Sequence, residues 1–278
     1  MSDLRLRARS VTEIVDAAFQ LYRRDALEYI LVTAVAYSPL LILQLMVFGA
    51  LDSSSAAVTL DSFSVLWFGL LVLGFVGYAI MVAVVSKFSS DIYLGRTPDL
   101  AATIRLSLSK VLPLIGASLV FMVLVSVGVL LFAVSIALWG PVTGSLGFVV
   151  AVVWALWVTA RFFAVFQVII LENRDVMDAF GRAGTLSRGQ KGHIVLTLFL
   201  VFLIVIVLMI AVTTVAALLP SQMIAGVVQM IYVVMAYPLI GIAQMILYYD
   251  LRIRAEGFDI EVMTGALGAA PRETEAAP

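Results

Sequence analysis

Arg161 stands in Val158-Thr159-Ala160-Arg161-Phe162-Phe163, inside an otherwise apolar stretch, and is the residue with the most chemical potential in this 278-residue chain. An ionisable side chain at membrane depth marks a pathway or binding site by default, where it would gather anions or pair with a carboxylate. The competing role is snorkelling, with the guanidinium reaching back to the interface. Counting back from Glu172 puts Arg161 about 15 Å deep. Counting inward from Gly144 puts it about 25 Å along, close to the headgroups. Lys87, in Val85-Ser86-Lys87-Phe88, holds a similar place on an earlier apolar stretch, which favours an interfacial role for both. Asp91, Glu172 and Asp250 are the candidate carboxylate partners, and Gln44, Gln167, Gln229 and Gln244 can add interhelical hydrogen bonds of about 1 kcal/mol each. Asp250, Arg252, Arg254, Glu256, Asp259 and Glu261 leave the last apolar stretch with mixed signs. That pattern can lock onto basic residues of neighbouring helices or form a docking surface for a protein partner. The candidate polar cluster is therefore Lys87, Asp91, Arg161, Glu172, Asp250, Arg252, Arg254 and Glu256.

Other chemistries are excluded or explained more simply. Zero cysteines rule out disulfides, Cys-ligated zinc, iron–sulfur clusters and thiol catalysis, and a lone histidine rules out a multi-His metal site within one chain. That histidine, His193, begins an apolar stretch without a nearby nucleophile and reads as an interfacial side chain. Asp175 and Asp178 suit the positive N-terminus of a helix. Ser187-Arg188-Gly189-Gln190-Lys191-Gly192 lacks the spacing of a phosphate-binding loop. Gly69, Gly74 and Gly77 fit close helix packing. No catalytic, metal or cofactor residues are expected, no cofactor, and no nucleic-acid partner.

The elements that position these residues follow from composition. Hydrophobic residues make up 63% of the chain and charged ones 13%. A soluble domain is about 45–50% apolar and roughly 25% charged. A bilayer crossing needs about 20 apolar residues, and six stretches qualify: Leu27–Ala50, Ser64–Ser86, Leu112–Trp139, Leu146–Leu171, Ile194–Leu219 and Met223–Tyr249. They pair as hairpins whose turns, 51–63, 140–145 and 220–222, contain no Lys or Arg; the first carries Asp52 and Asp61. The opposite ends hold Arg5, Arg7, Arg9, Arg23 and Arg24, then Arg96, Arg105 and Lys110, then Arg174, Arg182, Arg188 and Lys191, and finally Arg252, Arg254 and Arg272. The positive-inside bias puts both termini in the cytoplasm. The start, Met-Ser-Asp-Leu-Arg-Leu-Arg-Ala-Arg, does not read as a cleaved signal peptide. Pro39 and Pro238 predict kinks.

A short amphipathic helix is expected before each hairpin. The first carries Val11, Ile14, Val15, Ala18, Phe19 and Tyr22 on one face, opened by a Ser10/Glu13 capping box. The second begins at Thr97-Pro98-Asp99, with Pro at the first helical position and an apolar stripe of Leu100, Ile104, Leu108 and Val111. The third follows Asn173, with Val176, Ala179, Phe180 and Ala183 on one face. Such helices can contact anionic lipid or cover inward projections of the spans. The expected fold is an all-α six-span bundle, one membrane domain over 1–263. It reads as three repeats (about 10–88, 97–171 and 173–250) of helix plus hairpin, with a disordered tail over 264–278.

The string Ile246-Leu247-Tyr248-Tyr249-Asp250-Leu251-Arg252-Ile253-Arg254-Ala255-Glu256-Gly257-Phe258-Asp259-Ile260-Glu261 is the most specific in the chain. With Leu171-Glu172-Asn173-Arg174, Ala179-Phe180-Gly181-Arg182, Leu186-Ser187-Arg188-Gly189 and the opening Ile14-Val15-Asp16-Ala17-Ala18-Phe19-Gln20-Leu21-Tyr22-Arg23-Arg24, it closely resembles one bacterial family. This is the glycerophosphoryl diester phosphodiesterase membrane-domain family and its related six-span proteins of unknown function. The resemblance runs to about Met263 and departs at Ala183-Gly184, where relatives often carry Ser followed by a bulky residue. It implies the membrane module without the catalytic barrel, whose metal chemistry needs more histidines than this chain has. The expected role is a non-enzymatic inner-membrane scaffold or accessory module that organises anionic lipid or a protein partner. The alternative is transport or lipid translocation through a polar cavity around Arg161.

Overall fold

The computed structural model describes residues 7–53, 60–260 and 264, without the side chains of 46–53, 60–67, 143 and 222. The expectations for Arg5, Asp52, Asp61, Glu261 and the tail after Thr264 fall outside the described residues or side chains. Every element among the described residues is helical: α1 Val11–Arg24, α2 Ala26–Ser53, α3 Leu60–Tyr93, α4 Leu100–Ser109, α5 Val111–Gly144, α6 Leu146–Phe162, α7 Val165–Leu171, α8 Val176–Leu186, α9 Lys191–Ala216 and α10 Gln222–Glu256. Six spans among them are long and apolar enough to cross a membrane, by length and composition: those of α2, α3, α5, α9 and α10, and α6 with α7 taken together. The chain is thus a multi-pass helical membrane protein. The six correspond to the six apolar stretches of the sequence, with one difference. The fourth is broken at Phe163–Ala164, so α6 ends one residue beyond Arg161 and α7 continues separately. The helices carrying Pro39 and Pro238 continue on both sides of those residues.

α1 explains how the long last span is covered. The Ser10 side chain accepts from the Glu13 amide while the Glu13 carboxylate accepts from Ser10 N at 2.7 Å, a complete capping box. Ile14, Val15, Ala17, Ala18 and Leu21 are buried. The helix runs antiparallel along α10, tied at one end by Arg9 to Asp250 and at the other by the Tyr22 hydroxyl, which donates to Met235 O at 2.8 Å. The fifteen residues between those two α10 positions rise about 22 Å, matching the roughly 21 Å length of α1. Burial raises the Tyr22 hydroxyl above its ordinary pKa, so it stays a donor at neutral pH.

The cap carries a pH prediction. Hydrogen bonds from the Ser10 amide and Arg7 hold the Glu13 carboxyl down at about 2. A depressed carboxyl stabilises the fold above its unfolded value near 4.5 and loses that contribution as pH falls toward 2. An NMR titration of the Ser10 amide should show a midpoint near 2, absent in Glu13→Gln. A midpoint near 4.5 would mean the box is open in solution.

At α4 the structure corrects the sequence reading. Asp99 is the N-cap, its side chain accepting from Ala102 N at 3.0 Å, so Pro98 precedes the cap rather than opening the helix. Of the expected stripe, Leu100 packs against the core and Ile104 and Val111 are half-buried. Thr103 and Ser107 are the buried pair, while Leu108 is 66% exposed. Small residues give close helix contact, so Thr103 and Ser107 take the closest part of the inward face. α5 breaks at Gly140, at φ 75°, and the chain turns back there, so that Ser135 Oγ lies 2.7 Å from both Phe132 O and Gly144 O; α6 then returns along α5, with Trp154 Nε1 donating to Leu124 O at 2.7 Å. α3 and α10 meet most closely at Gly241, where a Cβ would lie 2.8 Å from Val85 Cγ1.

Candidate functional site

The basic ends of the spans converge on Asp250, whose side chain is 1% exposed. Its Oδ1 accepts from Arg9 N at 2.6 Å, and its Oδ2 accepts from Arg254 Nε at 2.8 Å and pairs with His193 Nε2 at 3.0 Å. Arg254 Nη2 also donates to Arg9 O at 2.7 Å. One carboxylate therefore joins the segment before α1, the start of α9 and the end of α10. Sequence reasoning chose Asp250 and Arg254 but missed Arg9 and His193. The available signal was that the one histidine of the chain opens a span level with the charged end of the next.

A second node is Glu172, just after α7. It accepts from Tyr248 Oη at 2.8 Å, from Arg174 Nε at 3.0 Å and from Arg182 Nε at 3.0 Å. Arg182 continues to Glu256 as a two-pronged pair, and Arg252 Nε reaches the same carboxylate at 3.2 Å. The hydrogen bond to Glu256, helped by Glu172, holds the Arg182 guanidinium above its ordinary pKa. α10 then ends at Gly257, in the left-handed region at φ 65°, a conformation glycine adopts without steric cost. The turn brings Phe258 back to stack on Tyr249 at 5.3 Å, with the Arg252 guanidinium 4.0 Å from the Phe258 ring centroid. Ser90 Oγ meets Tyr249 Oη at 2.6 Å. Most of the distinctive terminal string is thus turned inward, onto its own fold.

Lys87 and Asp91 form a separate i,i+4 pair on α3 at 2.5 Å. Arg161 joins none of the expected carboxylates among the described residues. Asp91, Glu172 and Asp250 are occupied by Lys87, by Arg174 with Arg182, and by Arg254 with His193. The physical reason is position. Arg161 lies in the last turn of α6, where a cation suits the negative helix end. Its guanidinium carbon is 5.5 Å from the Trp157 ring centroid and 5.4 Å from that of Phe162. A Cβ at Gly184 would stand 3.4 Å from Arg161 Nη2, so the glycine leaves the guanidinium room against α8. Lys191 Nζ is also 5.2 Å from the Trp157 ring centroid, so two cations share one indole.

Beside that indole a groove of about 470 Å³ runs between α6 and α9, lined by Leu156, Trp157, Ala160, Lys191, Val195 and Phe199. The eight residues expected to cluster therefore fall into four sets of contacts: Asp250 with Arg254, Glu172 with Glu256 and Arg252 through Arg182, the Lys87–Asp91 pair, and Arg161 beside the groove. Carboxylates already accepting from cations are poorly placed as general bases. No group of three or more His, Cys, Asp or Glu among the described residues could hold a metal. The network can fasten helix ends, and the groove can take a molecule with an anionic head and an apolar tail. No family model, curated protein or solved structure matches the chain.

Proposed function

We propose that the protein is a non-enzymatic scaffold of the bacterial inner membrane that holds anionic lipid at its cytoplasmic face. The observation carrying this reading is the pairing of Arg161 and Lys191 on Trp157 beside an apolar groove. The phosphate of an anionic lipid suits the two cations, and an acyl chain suits the groove. Both termini are cytoplasmic in this reading, by the positive-inside bias, and α1, α4 and α8 serve as the cover of each hairpin in a threefold repeat. The membership suggested by the terminal string, in the phosphodiesterase membrane-domain family without its barrel, is part of the same proposal. A protein partner would meet this face too. The transport alternative needs Arg161, Lys87 and Asp250 around one cavity, and their separate pairings favour the scaffold.

Native mass spectrometry of protein taken from vesicles containing phosphatidylglycerol tests the proposal. The wild type should retain a phosphatidylglycerol adduct. The double variant Arg161→Ala/Lys191→Ala should bind it roughly 30-fold less well, from about 1 kcal/mol per cation near an anionic surface. Equal retention by both proteins would remove the basis for the reading.

A further inference from the structure

We infer that the centre of the bundle is a binding site for a neutral, membrane-soluble ring compound that carries a carbonyl oxygen. A cavity of about 440 Å³ lies between α3, α5, α6, α7, α9 and α10. Its wall is aromatic: Phe75 and Phe121 stack at 5.7 Å between centroids, and Phe166 lies 6.5 Å from each. No charged side chain lines it; its polar groups are Tyr78, Thr159 and Gln244. Largely apolar cavities of this size between helices, with a few fixed polar groups, are the usual form of small-molecule sites.

The polar groups are wired to present donors. Gln167 Nε2 donates to Gln244 Oε1 at 3.2 Å, and Gln244 Nε2 donates to Tyr78 Oη at 2.7 Å. Tyr78 Oη is therefore an acceptor within the chain, and its own proton is left to point elsewhere. Thr159 adds a second hydroxyl on the cavity wall. Behind them Gln167 is fully buried and its Oε1 has no partner. Turning that amide alone would set two carbonyl oxygens against each other, so the glutamine pair leaves one buried polar atom without a partner. Polar groups this deep are costly unless they serve a partner. Two hydroxyl donors facing a pocket of aromatic rings suit a carbonyl oxygen on a flat conjugated ring, and the absence of a lining charge suits a neutral one. The anionic-lipid groove shares none of these residues.

The test is calorimetric titration of the full chain, in phosphatidylcholine nanodiscs, with 2-methyl-1,4-naphthoquinone, against discs without protein. The neutral lipid separates this outcome from that of the anionic-lipid reading. A saturable one-to-one phase is expected. Tyr78→Phe and Thr159→Val, both near-isosteric, should each weaken it three- to tenfold, about one neutral hydrogen bond. Leu198→Trp, which fills the cavity, should abolish it. Heats matching the protein-free discs would overturn the inference, and so would an affinity unchanged in both isosteric variants. Those two variants decide the matter if Leu198→Trp does not fold.

Discussion

Asp250→Ala should be the most damaging single substitution at the charged end, lowering stability by about 3–5 kcal/mol, the usual cost of stripping one partner from a buried ion pair. The carboxylate is almost wholly enclosed, so solvent screening gives little relief. Its removal leaves the Arg9 amide, His193 and Arg254 without their shared acceptor. In detergent, the thermal midpoint should fall by about 10 °C, given roughly 2–4 °C per kcal/mol for a chain of this size. Asp250→Asn should fall between the two, because an amide oxygen can still accept from Arg9 N but its nitrogen repels the donors on the other side. Glu256→Ala, at a more exposed pair, should cost far less. A midpoint unmoved in Asp250→Ala would show that the junction forms but holds nothing.

Gly241→Ala should cost about 1–3 kcal/mol by overpacking. The new methyl would stand 2.8 Å from Val85 Cγ1 and 2.9 Å from Val85 Cβ, closer than real side-chain carbons come. Val85 is itself fully buried, so it has no open side to swing toward. Adding Val85→Ala should restore most of the loss, and the coupling energy of the double-mutant cycle should be large and favourable. Additive losses in that cycle would place the strain somewhere other than the α3–α10 contact. Thermal midpoints of the four proteins in one detergent supply the measurement.

The spans were legible because hydropathy over twenty residues is a strong signal, and their limits moved by only a few residues at most ends. The cap of α1 was legible for a similar reason: Ser10 and Glu13 sit at the one spacing that satisfies two amides. The break between α6 and α7 was not. It carries neither Pro nor Gly at Phe163–Ala164, so no local residue announced it. α4 was legible in part: Leu100 packs inward, but the most buried positions are Thr103 and Ser107, small polar residues that apolar periodicity does not count. Which charged residues stand near the span ends was legible, and how they pair was not. Asp250, Glu172 and Arg161 could all be picked from the chain, but pairing depends on which span ends lie level, and that depends on tilt and projection. Arg161 shows this best: its depth was ambiguous by counting, and the end of α6 resolved its surroundings.

Arg9 and Asp250 are 241 residues apart in the chain, yet one accepts the other's backbone proton. In biosynthesis α1 leaves the ribosome well before the carboxylate that docks it, which is translated 241 residues later. Until then α1 must wait as a loose amphipathic segment. The apolar face it will press against α10 is available meanwhile to lipid or to a chaperone. Closure of this junction thus reports that α10 has been made and inserted, and a chain cut short before residue 250 would present quality-control proteases with an undocked α1.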